Sequence, residues 1–155
     1  MISDIRLIEF SEATFAAIMA HARRSYPDEC CGALLGREKT RRRAVESIIE
    51  IDNGTTENRG RRFSVAPGDY LRAEQEADSR GLILLGFYHS HPDHPASPSE
   101  TDRRFAQPGF SYPIVSVTAD GVAEVRSWRV RDAWYEEERV RRVPETSATS
   151  NTSND

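Results

Sequence analysis

Lysine is almost absent from the chain: Lys39 is the only one among 21 basic residues, and a mutational bias toward arginine is the simplest explanation. Cysteine is nearly as scarce. The two present, Cys30 and Cys31, are neighbours, and a trans peptide holds their Cα atoms about 3.8 Å apart, closer than the roughly 4.4 Å a disulfide needs. Without a second pair there is no thiolate zinc cage and no Cys-x-x-Cys redox motif, so both read as small, partly buried hydrophobes on a strand. No apolar run approaches the roughly 18 residues of a membrane span, so no membrane partner is expected. Met1 to Arg6 lacks the basic, apolar, small-residue order of a secretion signal, and a cytoplasmic location is expected. Excess positive charge is missing too. The net charge of −4 argues against general nucleic-acid binding, and the Arg41-Arg42-Arg43 run, with Arg59, Arg61 and Arg62, reads as solvated loop or strand-edge residues. No internal repeat or domain boundary is visible. A chain of 155 residues fits one domain, and at that size folding buries about 68–70% of the unfolded surface.

What is present centres on Gly86 to Asp102. The run Leu82-Ile83-Leu84-Leu85 into Phe87-Tyr88 is apolar on both alternating faces, which suits an interior strand covered on both sides. His89 and His91 close that strand. Residues two apart on a strand point the same way, so both imidazoles reach one point while Ser90 faces the other side. Pro92 has no N–H to donate and stops the ladder. A loop rich in Pro and Ser then delivers Asp102 at the start of a helix. Two His and one carboxylate make the three-ligand set of a catalytic zinc centre, which leaves a fourth position to water. The same polar residues also fit a plain helix start: Ser99 with Asp102, and Ser97 with Glu100 after Pro98, both have capping-box spacing. Asp102 is not expected to cap fully and ligate at once, so Ser97 with Glu100 would cap while Asp102 turns inward.

The spacing His89-Ser90-His91-Pro92, six residues, Ser99, two residues, Asp102 resembles the His-x-His-Pro-x6-Ser-x2-Asp motif of the JAMM (MPN+) zinc metallopeptidases. Five fixed positions at fixed spacing arise by chance less than about once in a million starting points. The similarity is to the small single-domain prokaryotic branch and extends from the first helix to the strands after the motif. It implies an α+β chain with the cytidine-deaminase-like αβ sandwich, a mixed sheet flanked by helices. It also implies Zn2+ on His89, His91 and Asp102. Glu29 opens the apolar run Cys30-Cys31-Gly32-Ala33-Leu34-Leu35-Gly36, where an acidic residue is energetically out of place. In the resembled family a Glu at this point is the general acid/base; the alternative is a solvated turn carboxylate, with Asp28 as rival base. Ser99 would stabilise the developing oxyanion. The implied substrate is the amide after the flexible Gly-Gly tail of a ubiquitin-like or sulfur-carrier protein, released from an amino acid such as cysteine or from a protein lysine. Near-absence of acceptor lysines suits a protein working on lysine-linked conjugates. Relatives often pair through helices, which makes a homodimer a further implied partner. Other readings are a metal-free scaffold that only assembles complexes, or a zinc hydrolase of another small amide. True zinc deaminases share the fold, but their Pro-Cys-x-x-Cys segment is absent. Amidohydrolase barrels need about 250 residues.

Around this centre the pattern predicts a strand from Ile5 to Phe10 and a helix from Ser11, with Phe15, Ile18, Met19 and Ala22 on its apolar stripe and His21 on its surface. Ala44 to Ile51 reads as a strand, Thr55 to Arg62 as a flexible loop and Phe63 to Val65 as a short strand. A second helix, Asp69 to Arg80, is closed by Gly81. Thr101 to Ala106 should be helical. Tyr112 to Thr118 and Val122 to Val130 form a hairpin about Asp120-Gly121, and Asp132 to Arg142 a last amphipathic helix. His94 reads as a loop residue outside the ligand set. Residues 1–143 are expected to form the single domain, and the polar tail 144–155 to be disordered.

Overall fold

A strand buried on both faces needs cover on both, and the computed structural model, which describes residues 6–52, 65–131 and 134–145, shows how that cover is built. The elements run β1 (Leu7–Ser11), α1 (Glu12–Ser25), β2 (Cys31–Lys39), β3 (Arg42–Ile51), α2 (Pro67–Ser79), β4 (Ile83–Pro92), α3 (Glu100–Phe105), β5 (Ser111–Thr118), β6 (Gly121–Arg131) and β7 (Trp134–Val143). Strand β4 is buried from Leu85 to Pro92. On one of its faces Tyr88 joins Ile8, Phe10, Ile18 and Leu34 in a core beneath α1. On the other, Phe87 packs with Ala33, Ala73 and Tyr112 beside α2. Each large side chain so buried stabilises the fold by about 1.5–3 kcal/mol.

The expected α+β organisation with a mixed sheet holds. β1 is parallel to both β3 and β7, β4 is parallel to β5, and the remaining pairs are antiparallel. Instead of lying as an open layer in a sandwich, the sheet closes on itself in the order β1-β3-β2-β4-β5-β6-β7. Closure follows from β1, which pairs on both sides and joins β3 to β7. The two glycines of β2 allow close approaches, as expected: a Cβ on Gly32 would lie 2.4 Å from the Tyr88 ring, and one on Gly36 would lie 1.9 Å from the Ala44 carbonyl oxygen.

Several expectations are corrected. Asp132 to Arg142 is not a helix: from Trp134 the chain is strand β7, hydrogen-bonded to β6 and β1. Its inward residue is Glu138, 2% exposed, so a buried carboxylate hid the strand's alternation, and pairing on both edges overrides the helix propensity of Glu and Arg. His21 is buried rather than on the surface, because α1 turns a broader face inward and Tyr88 offers a partner, their Nδ1 and hydroxyl sharing a 2.7 Å hydrogen bond. Arg43 is buried rather than solvated, its guanidinium donating to the Leu85 and Gly109 carbonyls and to the Ser111 hydroxyl. Helix α2 starts two residues earlier than expected, at Pro67 after Ala66, which makes no side-chain cap. The expected loop at 55–62, residues 63 and 64 of the short strand, and the tail from 146 lie outside the described residues; Val65 is not in a strand. Among the described residues, no helix is long and apolar enough to cross a membrane.

Candidate metal centre

Strand β4 places His89 and His91 on one face, and α3 places Asp102 against them. The structure brings these three together, with one potential ligand atom from each within 4.8 Å of the others. The two Nε2 atoms lie 3.3 Å apart. His89 Nε2 is 3.1 Å from Asp102 Oδ1, and His91 Nε2 is 3.0 Å from Oδ2. His91 Nδ1 lies 2.8 Å from the Pro95 carbonyl. A carbonyl can only accept, so Nδ1 carries the proton and Nε2 turns its lone pair to the centre. Two imidazole nitrogens and a carboxylate thus converge on one point, a donor set that fits a bound cation.

The helix that carries Asp102 is started by Ser99, whose hydroxyl accepts from Asp102 N–H at 3.0 Å while Asp102 Oδ2 accepts from Ser99 N–H at 2.8 Å. This is the Ser99 capping box, not the Ser97 one. Capping and facing the two imidazoles prove compatible, because a carboxylate has four lone-pair sites and the cap uses one. His94 is exposed and stands outside the group.

Glu29 is brought to the same end of the sheet. Cys31 pairs with His89, Cys30 and Ser90 exchange backbone and side-chain hydrogen bonds of 3.0 and 2.9 Å, and the antiparallel register continued by two residues sets Glu29 opposite His91. Glu29 is 8% exposed. Burial pushes its carboxyl up to about 7, with His91 opposing and Asp102 adding. Burial also pulls the His89 imidazole down. For His91, burial acts the same way but is outweighed by Asp102, the Pro95 carbonyl and Glu29, so the net direction is up. Burial disfavours ionised Asp102, yet the two imidazoles and the Ser99 N–H hold its carboxyl well below the usual carboxylate range. Asp28, the rival base, is only partly buried and bonds by its backbone to Ser25. Cys30 and Cys31 are free thiols, both buried.

Side chains distant in the sequence fix the loop between His91 and α3. Tyr26 donates to the Asp93 carboxylate at 2.9 Å, Ser116 to the His94 carbonyl at 2.6 Å, and Trp128 to the Ala96 carbonyl at 3.0 Å. Beside the centre opens a cavity of about 500 Å³, lined by His89 and Asp102 and walled by Tyr70, Phe87, Tyr112 and Tyr135. Sequence reasoning missed these contributors. Their contacts join residues 5 to 67 positions apart, mostly through backbone carbonyls, which leave no spacing signal.

Comparison with known proteins identifies the family. The model of the prokaryotic homologs of the JAB domain matches residues 11–131. The chain is 37% identical over 128 residues to the CysO-cysteine peptidase of Mycobacterium tuberculosis, covering 80% of this chain and 83% of that one. It is 33% identical over 117 residues to a desampylase of Haloferax volcanii, covering 72% and 81%. The solution structure of protein DSY2949 from Desulfitobacterium hafniense superposes with a TM-score of 0.80 at 30% identity, covering 94% and 99%. The chain belongs to the prokaryotic homologues of the JAB domain and is an enzyme, a hydrolase of the JAMM type.

Proposed function

We propose that the protein is a zinc-dependent peptidase that hydrolyses the amide bond after the Gly-Gly tail of a ubiquitin-like or sulfur-carrier protein. The observation that carries this reading is the convergence of His89 Nε2, His91 Nε2 and Asp102 on one point beside buried Glu29. His89, His91 and Asp102 are the ligands in this reading, and a bound zinc supplies a water acidified to a pKa of about 7 and a Lewis acid for the scissile carbonyl. Glu29 takes the proton from the attacking water and gives it to the departing amine. A carboxyl poised near neutrality is suited to both transfers, which are worth about 10²–10⁴-fold in rate. Ser99 Oγ already accepts from Asp102 N–H, so its own hydrogen is available to donate to the oxyanion, a contact worth about 2.7–4 kcal/mol. Since described strands on both sides of β4 close its edges, the extended tail is assigned to the aromatic cavity beside His89 and Asp102 rather than to a sheet edge. The names of the relatives, a CysO-cysteine peptidase and a desampylase, support a conjugate of a small carrier protein as substrate.

The test is mass spectrometry of a ubiquitin-like sulfur carrier, extended by one cysteine or joined to a lysine side chain, after incubation with the zinc-loaded protein. Cleavage after Gly-Gly that is lost with a chelator and in Glu29→Ala is expected. The preferred leaving group separates carrier processing from deconjugation. Zinc bound without cleavage of either conjugate would overturn the assigned substrate, and absence of zinc binding would favour the scaffold reading.

A further inference from the structure

We propose that Tyr135, on the last strand, is a positioning residue that holds Asp102 at the metal centre. The inference rests on the zinc reading above, and it concerns how the chain keeps its third ligand in place. Helix α3 is only six residues long, and none of its residues is fully buried. A helix of that length is marginal by itself, and with no fully buried residue it has little apolar packing to fix its position. Its place is therefore set by polar tethers. The capping box joins Ser99 to Asp102, but both partners belong to the same turn and move together. His89 and His91 face the Asp102 side chain, but in this reading that contact is the function to be supported.

Besides the imidazole contacts, two hydrogen bonds between described residues tie this segment to its surroundings. Tyr135 OH donates to the Asp102 backbone carbonyl at 2.9 Å. Just beyond the helix, Gln107 N–H donates to the Tyr112 hydroxyl at 2.7 Å. Only the first acts on the ligand residue itself. It fixes the backbone from which the carboxylate projects, so the carboxylate is aimed by a strand rather than by its own helix. That strand is rigidly placed, since β7 is hydrogen-bonded to β6 with Tyr135 opposite Val130, and to β1 further along. Tyr135 is half-buried and lines the cavity that reaches His89 and Asp102. It also lies outside the 11–131 stretch that matches the family model, so this chain draws on a strand beyond that match to steady the centre. Groups that orient a ligand from behind change metal affinity or activity by about 10–100-fold when removed.

The experiment measures zinc affinity by competition with a chromophoric chelator, together with the visible spectrum of the cobalt-substituted protein, for wild type, Tyr135→Phe, Tyr112→Phe, Asp102→Ala and Tyr135→Phe/Asp102→Ala. Tyr135→Phe is expected to weaken zinc binding by about 10–100-fold and to alter the cobalt bands, while the melting temperature of the zinc-free protein stays close to wild type. Tyr112→Phe should weaken binding less. In the Asp102→Ala background, Tyr135→Phe should have no further effect on zinc affinity, a result that a general packing role would not give. Zinc binding by Tyr135→Phe within twofold of wild type, or an equal loss with and without Asp102, would overturn the inference. Failure of the wild-type protein to bind zinc would instead overturn the zinc reading on which it rests.

Discussion

Arg43 and Glu138 lie as deep in the molecule as His89 and His91, yet the two groups of buried polar side chains are built on opposite plans. Near the start of β5, Arg43 donates to the Leu85 and Gly109 carbonyls, to the Ser111 hydroxyl and to Glu38. Close by on β6 and β7, Glu138 accepts from Arg129 Nε and from the Ser127 hydroxyl, each at 2.7 Å. There, each of these donors meets an acceptor: Arg43 ties β3 to β4 and β5, and Glu138 ties β7 to β6. Where β4 ends, the arrangement differs. Two imidazole Nε2 atoms 3.3 Å apart and the Asp102 oxygens gather at one point, the donor set of a cation site. Burial costs free energy in either place unless charge and hydrogen bonding are matched. The lesson is that burial of polar groups does not by itself mark a site. The kind of group does: one set pairs donors with acceptors, and the other gathers metal-ligating atoms at one point.

That contrast is broken most directly by two substitutions of similar chemistry. Glu29→Gln keeps shape and removes the proton carrier, so turnover should fall by about 10³-fold, or about 4 kcal/mol of barrier. Zinc content should be unchanged and stability not reduced, which metal analysis and denaturation check. Retained turnover in this variant would remove Glu29 from the chemistry. Glu138→Gln should do the opposite. It strands the Arg129 guanidinium in a buried place, which costs about 3 kcal/mol of stability, read as a lower denaturation midpoint, while turnover per folded molecule stays near wild type. A stable Glu138→Gln protein with lost activity would show that the two clusters are coupled and that the division between them is false.

Much of the centre was legible because it is local. Strand alternation set His89 and His91 on one face, while the resemblance in spacing singled out Asp102. Glu29 stood out as an acidic residue before an apolar run, and the same resemblance favoured it over Asp28. The hairpin at Asp120-Gly121 was equally local, and β5 and β6 pair across it, Thr118 opposite Gly121. What failed was strand β7 and the burial of His21 and Arg43. Strand β7 turns Glu138 inward, so its pattern of hydrophobic and polar residues carries no sign of a strand. His21 and Arg43 look like surface residues because their partners, Tyr88, Leu85 and Ser111, lie 42 to 68 residues away. The double use of Asp102 escaped for a different reason. Spacing shows that two roles compete for a side chain, but only geometry shows that a carboxylate has oxygen lone pairs enough for both.

The smallest expected effect sharpens the comparison through pH. Burial raises Glu29 from its ordinary 4.5 to about 7, with Asp102 adding and His91 opposing. A carboxyl with a folded pKa above its unfolded value binds its proton more tightly in the folded state. Its stability contribution is therefore whole below about pH 4.5, declines as pH rises toward 7, and stays reduced above that. A rise of this size is worth at most about 3 kcal/mol. Asp102 runs the other way: its carboxyl is held below the usual range, so its contribution is present above its unfolded pKa and lost as pH falls. Comparing chelator-treated wild type with chelator-treated Glu29→Gln cancels most of the Asp102 contribution and leaves that of Glu29. The variant's advantage in denaturation free energy should be near zero at about pH 4.5, grow through neutrality, and level off. An advantage that ignores pH would mean that Glu29 is solvated like a surface carboxylate. The candidate site would then be confined to the two imidazoles and Asp102, and the proton carrier would have to be sought elsewhere.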